Sequence, residues 1–295
     1  MSQGNFLVRF FRAVWRGVNG LRKVLHLLLL MFIFMIFIGI MSGEAPPLMP
    51  ERAALVIQPV GSLVEQLDGD PYERALAELM DNAQPQTLVQ DVIDALEHAA
   101  DDDRIAAVHL ELSALGRAGL DKLRRVGKAI DEFRATGKLV IASGDFYTQP
   151  GYYLAAHADE IYLNPNGLVF IPGYGSYRTY YKDAIDLLRV DWNVFRAGSH
   201  KTAYEPYERM DMSPEDREDR VRLLDQLWKA YQQEVVAARG LPEDAIDQYA
   251  QKFVEQTESA GGDPAIAARD RGFVDDLLGR AELREVLINH VGPDE

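Results

Sequence analysis

Apolar residues are distributed along this chain in two ways. Residues 24–41, VLHLLLLMFIFMIFIGIM, form an almost unbroken apolar run, interrupted only by His26 near its start. About 18 such residues carry a helix across the hydrocarbon core of a bilayer. A core helix of a soluble domain is apolar along one face rather than all round. A cleaved secretory signal has a shorter apolar stretch of about 7–15 residues and a small-x-small cleavage site, and no such site follows Met41. The run therefore predicts an uncleaved signal anchor.

Beyond a proline-rich linker, SGEAPPLMPER, short β-like runs alternate with segments of helical spacing. ALVIQPV predicts a strand, and DPYERALAELM a helix with Asp70 as its cap and Pro71 at its first position. TLVQDVIDALEHA places Leu88, Val92, Ile93 and Leu96 on one helical face. IAAVHLEL and KLVIAS predict strands. Between them a helix runs through Leu120, Leu123, Val126, Ile130 and Phe133, with Gly137 beyond its end. EIYLN predicts a further strand, NPNG a turn and WNVFRA another strand. A long helix then opens with Ser213 as cap, Pro214 at N1 and Asp216 at N3. It runs through Val221, Leu224, Trp228, Tyr231 and Val235 to Gly240. Such alternation predicts an α/β fold with largely parallel strands.

Charge adds an orientation. Residues 1–23 hold Arg9, Arg12, Arg16, Arg22 and Lys23 and no acidic side chain, whereas the whole chain carries −15. Positive charge ahead of the apolar run places that end in the cytoplasm and the body outside it. The expected organisation is a basic cytoplasmic segment 1–23, an anchor 24–42, a linker 43–53 and a body 54–295. FLVRFFRAVWRGV interleaves bulky apolar residues with arginines. It suits a helix lying in the headgroup layer as well as it suits a plain basic tail. The acidic body excludes nucleic acid as a partner, because phosphate attraction needs the opposite sign. Without cysteine there are no disulfides or thiolate zinc sites, and the six histidines show no metal-ligand spacing.

Three patches follow one another in a particular order: GDFYTQPGYYLAAHADEIYLNPNGLVFIPGYG, RAGSHKTAYEPYERMDMSPEDRE and GGDPAIAARDRGFVDDLLGRAELRE. With the anchor they resemble, over essentially the whole chain, the long form of the signal peptide peptidase A (protease IV) family of membrane-anchored bacterial serine peptidases. The resemblance implies a ClpP/crotonase-like unit, repeated in tandem in the long form, with the nucleophilic serine in the second unit. It also implies that the first unit supplies a lysine general base, which falls on Lys201 in SHKTAYEP. An exposed lysine, with a pKa of about 10.4, is protonated at neutral pH and cannot accept a proton from serine. Desolvation brings it to ~7–8, where it can. Phe195, Tyr204 and Tyr207 are the neighbours available for shielding.

The nucleophile position departs from the family pattern. Where the serine-bearing unit has a glycine-flanked serine, this chain reads GDFYTQPGYY, with Gln149 followed by Pro150. An amide cannot attack a carbonyl. The S-P-G-G oxyanion loop is replaced by LSALGRAG, in which Gly116 is the remaining glycine and Leu115 breaks the pair. Ser113 and Ser143 read as hydroxyls at element ends, Ser199 as a local backbone partner, and His157 as a helix-end residue rather than a triad member with Asp145 and Ser143. GGD at 261–263 reads as a helix cap and DRGFVDDL as a closing turn.

The implied protein is the lysine-bearing half of a Ser/Lys-dyad endopeptidase at the bacterial inner membrane. No cofactor is needed, hydrophobic signal peptides are the substrates, and the partners are the bilayer, a serine-bearing C-terminal unit and further copies in a homo-oligomeric ring. The alternative is a non-catalytic membrane-anchored scaffold. A third reading, an enoyl-CoA-binding crotonase relative, would not normally carry a transmembrane anchor.

Overall fold

The structure, a computed structural model, describes residues 4–41, 50–195, 197–198 and 200–292. It divides into two compact units, Met1–Met49 and Pro50–Glu295. Residues 1–3, the last residue of the expected anchor (Ser42) and most of the expected linker, residues 43–49, lie outside the described residues.

The first unit is a single helix, α1 (Gly4–Met41). The interfacial and spanning stretches read separately from the sequence form one continuous rod. Its described apolar side chains, Phe10 through Ile38, are exposed, so it is no core helix. With a mean hydropathy of 2.3 over its most apolar window, it is the one helix among the described residues long and apolar enough to cross a membrane.

The second unit is α/β. In chain order it contains β1 (Ala53–Ile57), β2 (Ser62–Val64), α2 (Pro71–Leu79), β3 (Gln86–Leu88), α3 (Val89–Asp101) and β4 (Ile105–Glu111). Next come α4 (Leu120–Ala135), β5 (Leu139–Gly144), α5 (Gln149–Ala155), β6 (Glu160–Leu163), α6 (Lys182–Leu187) and α7 (Glu205–Glu208). The chain continues with α8 (Pro214–Arg239), α9 (Ala245–Gln251), α10 (Phe253–Ser259), α11 (Pro264–Asp270), β7 (Asp276–Leu277) and α12 (Arg280–Val291). Five strands form one sheet in the order β1-β4-β5-β6-β7, and β2 pairs with β3 in a second. Every pairing is parallel, as expected when helices return the chain between strands.

Register follows the burial pattern. Val108 and Leu110 of β4 pair with Val140 and Ala142 of β5, and all four are buried. On α3 the buried positions are Val89, Val92, Leu96 and Ala99; on α4 they include Leu123, Val126, Ile130 and Phe133. On α4, and at Val92 and Leu96 of α3, this is the spacing read from the sequence, whereas Ile93 is only partly buried; each buried Val, Leu, Ile or Phe side chain contributes about 1.5–3 kcal/mol when withdrawn from water. A second, aromatic part of the core joins α5, α8, α9 and the β7 approach. Tyr249 stacks on Phe273 at 4.1 Å between ring centroids, and Trp228 stacks on Tyr231 at 5.6 Å.

The punctuation works as its chemistry predicts. Asp70 accepts hydrogen bonds from the backbone N–H groups of Tyr72 and Glu73, and the Glu73 carboxylate accepts from the Asp70 N–H, a complete capping box. Ser213 Oγ accepts from the Asp216 N–H at 3.1 Å, and α8 ends at Gly240 in the left-handed region, φ 70°. Asp263 caps α11 through Ala265 and Ile266.

Two expectations are corrected. Leu88 is not on the face of α3 but pairs with Val64 in the small sheet, its β-branched and polar neighbours Thr87 and Gln86 completing β3. WNVFRA is no strand: residues 192–195 have no regular structure and Arg196 lies outside the described residues. The main sheet already ends in β1 on one side and β7 on the other, and Trp192 is instead held by stacking on Tyr207 at 4.9 Å.

Candidate functional site

The sequence motifs fall on three segments: the loops that follow β4 and β5, and the segment between α6 and α7. The first is the start of α5. Thr148 caps it, its Oγ1 accepting from the Gly151 N–H at 3.1 Å and donating to the Leu115 carbonyl at 2.9 Å. Gln149, the first residue of that helix, is 8% exposed. Its Oε1 accepts from the Gly173 N–H at 2.8 Å, and its backbone carbonyl accepts from the buried Tyr231 hydroxyl at 3.0 Å. Gln149 is thus a strut binding α5 to α8 and to the segment after β6.

The second loop is 112–119, where an oxyanion site would require free backbone N–H groups. Here they are spent. The Leu115 N–H donates to Leu112 at 3.2 Å, and the Gly116 N–H donates to the Gly61 carbonyl at 2.7 Å. Leu115 is fully buried. Gly61 holds φ +65°, and a Cβ there would lie 1.8 Å from the Pro85 carbonyl oxygen, so only glycine lets this loop and the β3 approach close on each other.

The third segment carries Lys201, between α6 and α7. Lys201 is exposed. The aromatic shield does not assemble around it in this chain: Phe195 is 98% and Tyr204 55% exposed, while Tyr207 is half-buried between Trp192 and Tyr181, its ring centroid 5.8 Å from that of Tyr181. Both neighbours of Lys201 are tethered to α8. His200 Nδ1 lies 2.8 Å from Asp219 Oδ2, and Thr202 Oγ1 donates to Asp216 Oδ1 at 2.8 Å. Asp216 is buried and also accepts from Arg220 Nε at 2.8 Å. Burial raises its pKa, but the hydrogen bonds from Arg220 and Thr202 and the nearby guanidinium of Arg178 outweigh it and hold the carboxyl below its usual range. Ser199 lies outside the described residues.

A cleft of about 490 Å³ opens beside these loops, between the sheet and the start of α12, lined by His109, Glu111, Ser143, Asp145, Tyr162 and Leu283 among others. His109 Nε2 and Ser143 Oγ are 2.7 Å apart and both side chains are buried. Burial lowers the His109 pKa, with Glu111 opposing, so the imidazole is neutral at pH 7. A serine beside a neutral imidazole is the start of a nucleophile–base pair. Glu111, however, accepts from Gln58 at 2.6 Å and from the Ser113 hydroxyl, so it does not orient the ring. Asp145 is bonded to Asn164 at 2.9 Å and to Arg280 at 3.1 Å. His157 meets Asp131 at 3.0 Å on the far side of α4 and joins neither Ser143 nor Asp145. The sequence reading missed both the His109–Ser143 pair and the Asp216 tether. Parallel register brings Glu111 and Ser143 level, which only the paired sheet reveals. A carboxylate at N3 of α8 reads by default as a capping residue.

The family model described as Peptidase family S49 matches residues 132–289, a span that includes Gln149, Lys201 and Asp216. The chain is 33% identical to a protein named Protease 4 from Salmonella typhi, over 97% of this chain and 48% of that one. To a Protease 4 from Haemophilus influenzae it is 32% identical over 92% and 45%. The chain therefore spans about half the length of these relatives. An enoyl-CoA hydratase/isomerase family protein from Hyphomonas neptunium aligns over 80% of this chain and 71% of its own, at 13% identity and a TM-score of 0.37. With the family model covering more than half of its residues, the chain belongs to peptidase family S49.

Proposed function

We propose that this chain is the lysine-bearing half of a membrane-anchored Ser/Lys peptidase, with Lys201 as general base and the nucleophilic serine supplied by a separate unit. The observation that carries this reading is the contrast between two sites in one polypeptide. Gln149 stands buried, its side-chain oxygen bonded to Gly173, at the position where a nucleophile would be needed, whereas Lys201 is exposed with both neighbours tied down. The names and the double length of the relatives support the same division.

On this reading a docked serine unit covers Lys201 and removes water from it, which lets the amine accept the serine proton on attack and return it to the leaving amine. Helix α1 anchors the body on the extracytoplasmic side of a bacterial inner membrane, where hydrophobic signal peptides are the substrates, and further copies complete a ring. The test pairs this chain with a serine-bearing S49 unit and assays peptide hydrolysis. Lys201→Ala and Lys201→Arg should each lower kcat by roughly 10²–10⁴-fold without loss of fold. Undiminished hydrolysis by either variant would remove the base.

A second reading, a non-catalytic anchored scaffold, is favoured by the exposure of Lys201, Phe195 and Tyr204 in this chain. It predicts that Lys201 stays reactive toward water-soluble amine reagents after the serine unit is added.

A further inference from the structure

We infer that Asp216 and Asp219, on the opening turns of α8, are positioning residues that clamp the two neighbours of Lys201 and so fix the direction in which its amine points. The inference rests on the reading of Lys201 as base and adds the device that aims it.

Residues three apart on a helix share a face, and Asp216 and Asp219 both turn that face toward residues 200–202. Asp219 takes His200 on the N-terminal side of Lys201, and Asp216 takes Thr202 on the C-terminal side, each at 2.8 Å. Each carboxylate is itself held. Arg222 donates to Asp219 at 2.6 Å, while Arg220 reaches Asp216 and, through its other arm, Ser176 at 2.7 Å. The backbone is secured as well, since the Thr202 carbonyl accepts from Arg178 at 3.2 Å and from the Glu205 N–H at 3.1 Å. With residues 200 and 202 drawn onto α8, Lys201 is left facing away from it.

The physical value of this arrangement is entropic. A lysine carries several rotatable bonds on a segment without regular structure, and a base must sit within about 3 Å of the proton it removes. Charge-assisted hydrogen bonds to both neighbours remove the backbone part of that freedom before a partner arrives. Asp216 is ill suited to a merely solvated cap: it is buried, and it spends its carboxylate on Thr202 and Arg220 rather than on the start of its own helix.

The test uses Thr202→Val, Thr202→Ser, Asp216→Asn and Asp219→Asn in the whole chain. Hydrogen exchange of the Lys201 and Glu205 amides, which donate to the Gly198 and Thr202 carbonyls, is read first, in the chain alone. In Thr202→Val and Asp216→Asn it should quicken by roughly tenfold, and unaltered exchange at Lys201 in Asp219→Asn would remove Asp219 from the clamp, with the amides in the middle of α8 unchanged in every variant. Thr202→Ser, which keeps the hydroxyl, should exchange like the parent. With a serine-bearing S49 unit added, the same two variants should lose roughly tenfold in kcat with KM within about twofold, and Thr202→Ser should restore it. Unaltered exchange in Thr202→Val and Asp216→Asn, or equal loss of kcat in Thr202→Val and Thr202→Ser, would overturn the clamp. Those outcomes are separable from failure of the base itself. If Lys201→Ala is inactive while the exchange is unaltered, the base stands and the clamp falls. If Lys201→Ala is fully active while exchange quickens, the aiming role falls together with the base, and only a structural tether remains.

Discussion

The two family motifs in this chain sit in opposite physical states. Around Leu115, Gly116 and Gln149 the chain is closed: the side chains of Leu115 and Gln149 are buried, the N–H groups of Leu115 and Gly116 are taken by the Leu112 and Gly61 carbonyls, and the Gln149 amide bridges to Gly173. From Tyr177 to Leu223 it is open. Tyr177, Leu187, Leu188, Phe195, Met210 and Leu223 are exposed, an unusual density of uncovered apolar surface, and Lys201 lies among them. Around Leu115 and Gln149 the named polar groups are already bonded within the chain, whereas exposed apolar surface and a lysine between two tethered neighbours leave much for a partner to complete. On the proposed reading, this half has lost the nucleophile end of the chemistry and kept the base end.

Perturbing the closed region should therefore cost folding energy, and perturbing the open one should not. The largest effect is expected at Gly61→Ala, where a Cβ would strike the Pro85 carbonyl. Urea unfolding should show a loss of about 3 kcal/mol or more, and a loss below ~1 kcal/mol would mean the loop closure is not what it seems from Gly61. Gln149→Ala should follow at about 2 kcal/mol, because the Gly173 N–H is left without its acceptor. Gln149→Ser should cost about as much and produce no peptidase activity in this chain alone, since the N–H groups of Leu115 and Gly116 are already spent.

A smaller effect, confined to acid solution, comes from His109. Its folded-state pKa is lowered by burial below the ordinary value of about 6.5. The unfolded state therefore takes up the proton first, so the stability tied to the neutral ring is complete above that pH and declines as pH falls below it. Thermal unfolding between about pH 7 and 5 should show a shallower fall in Tm for His109→Gln than for the parent; parallel curves would show that the ring is not desolvated. Least of all, Phe195→Ser should leave stability within about 0.5 kcal/mol, since the ring is in water. A substantial loss would show that the arm packs on itself in solution, and the comparison of the two regions would weaken.

Much of this was legible in the sequence, for identifiable reasons. Period and punctuation are local signals, so β1, β4, β5, β6 and the helices α2, α4 and α8, with caps at Asp70 and Ser213 and a stop at Gly240, could be read directly. Leu88 was misplaced because one residue at a strand–helix junction satisfies both periods. WNVFRA failed because apolar, β-prone residues look the same whether they pair in a sheet or stand in solvent, and exposure is not written in a run of six residues. At the candidate site, the sequence shows Gln149 and Pro150 in GDFYTQPGYY, and the resemblance set that glutamine against a serine. That the amide would be a strut, that Gly116 would be bonded to Gly61, and that Asp216 would reach Thr202 depend on contacts between residues 14 to 55 positions apart, which no local pattern carries.

The 38-residue rod of α1 has a mechanical consequence. At about 1.5 Å per residue it is roughly 57 Å long, nearly twice the ~30 Å oily slab that such a rod would have to traverse. The surplus coincides with the arginine-bearing half of the helix, residues 4–23, so if the apolar half stands upright, the other half either projects straight beyond the bilayer or folds down onto the lipid phosphates. Gly17 and Gly20 are the pliable joint for the second course: nothing lies within 4 Å of where their Cβ atoms would be, and stiffening both to alanine would favour the upright mast over the folded foot.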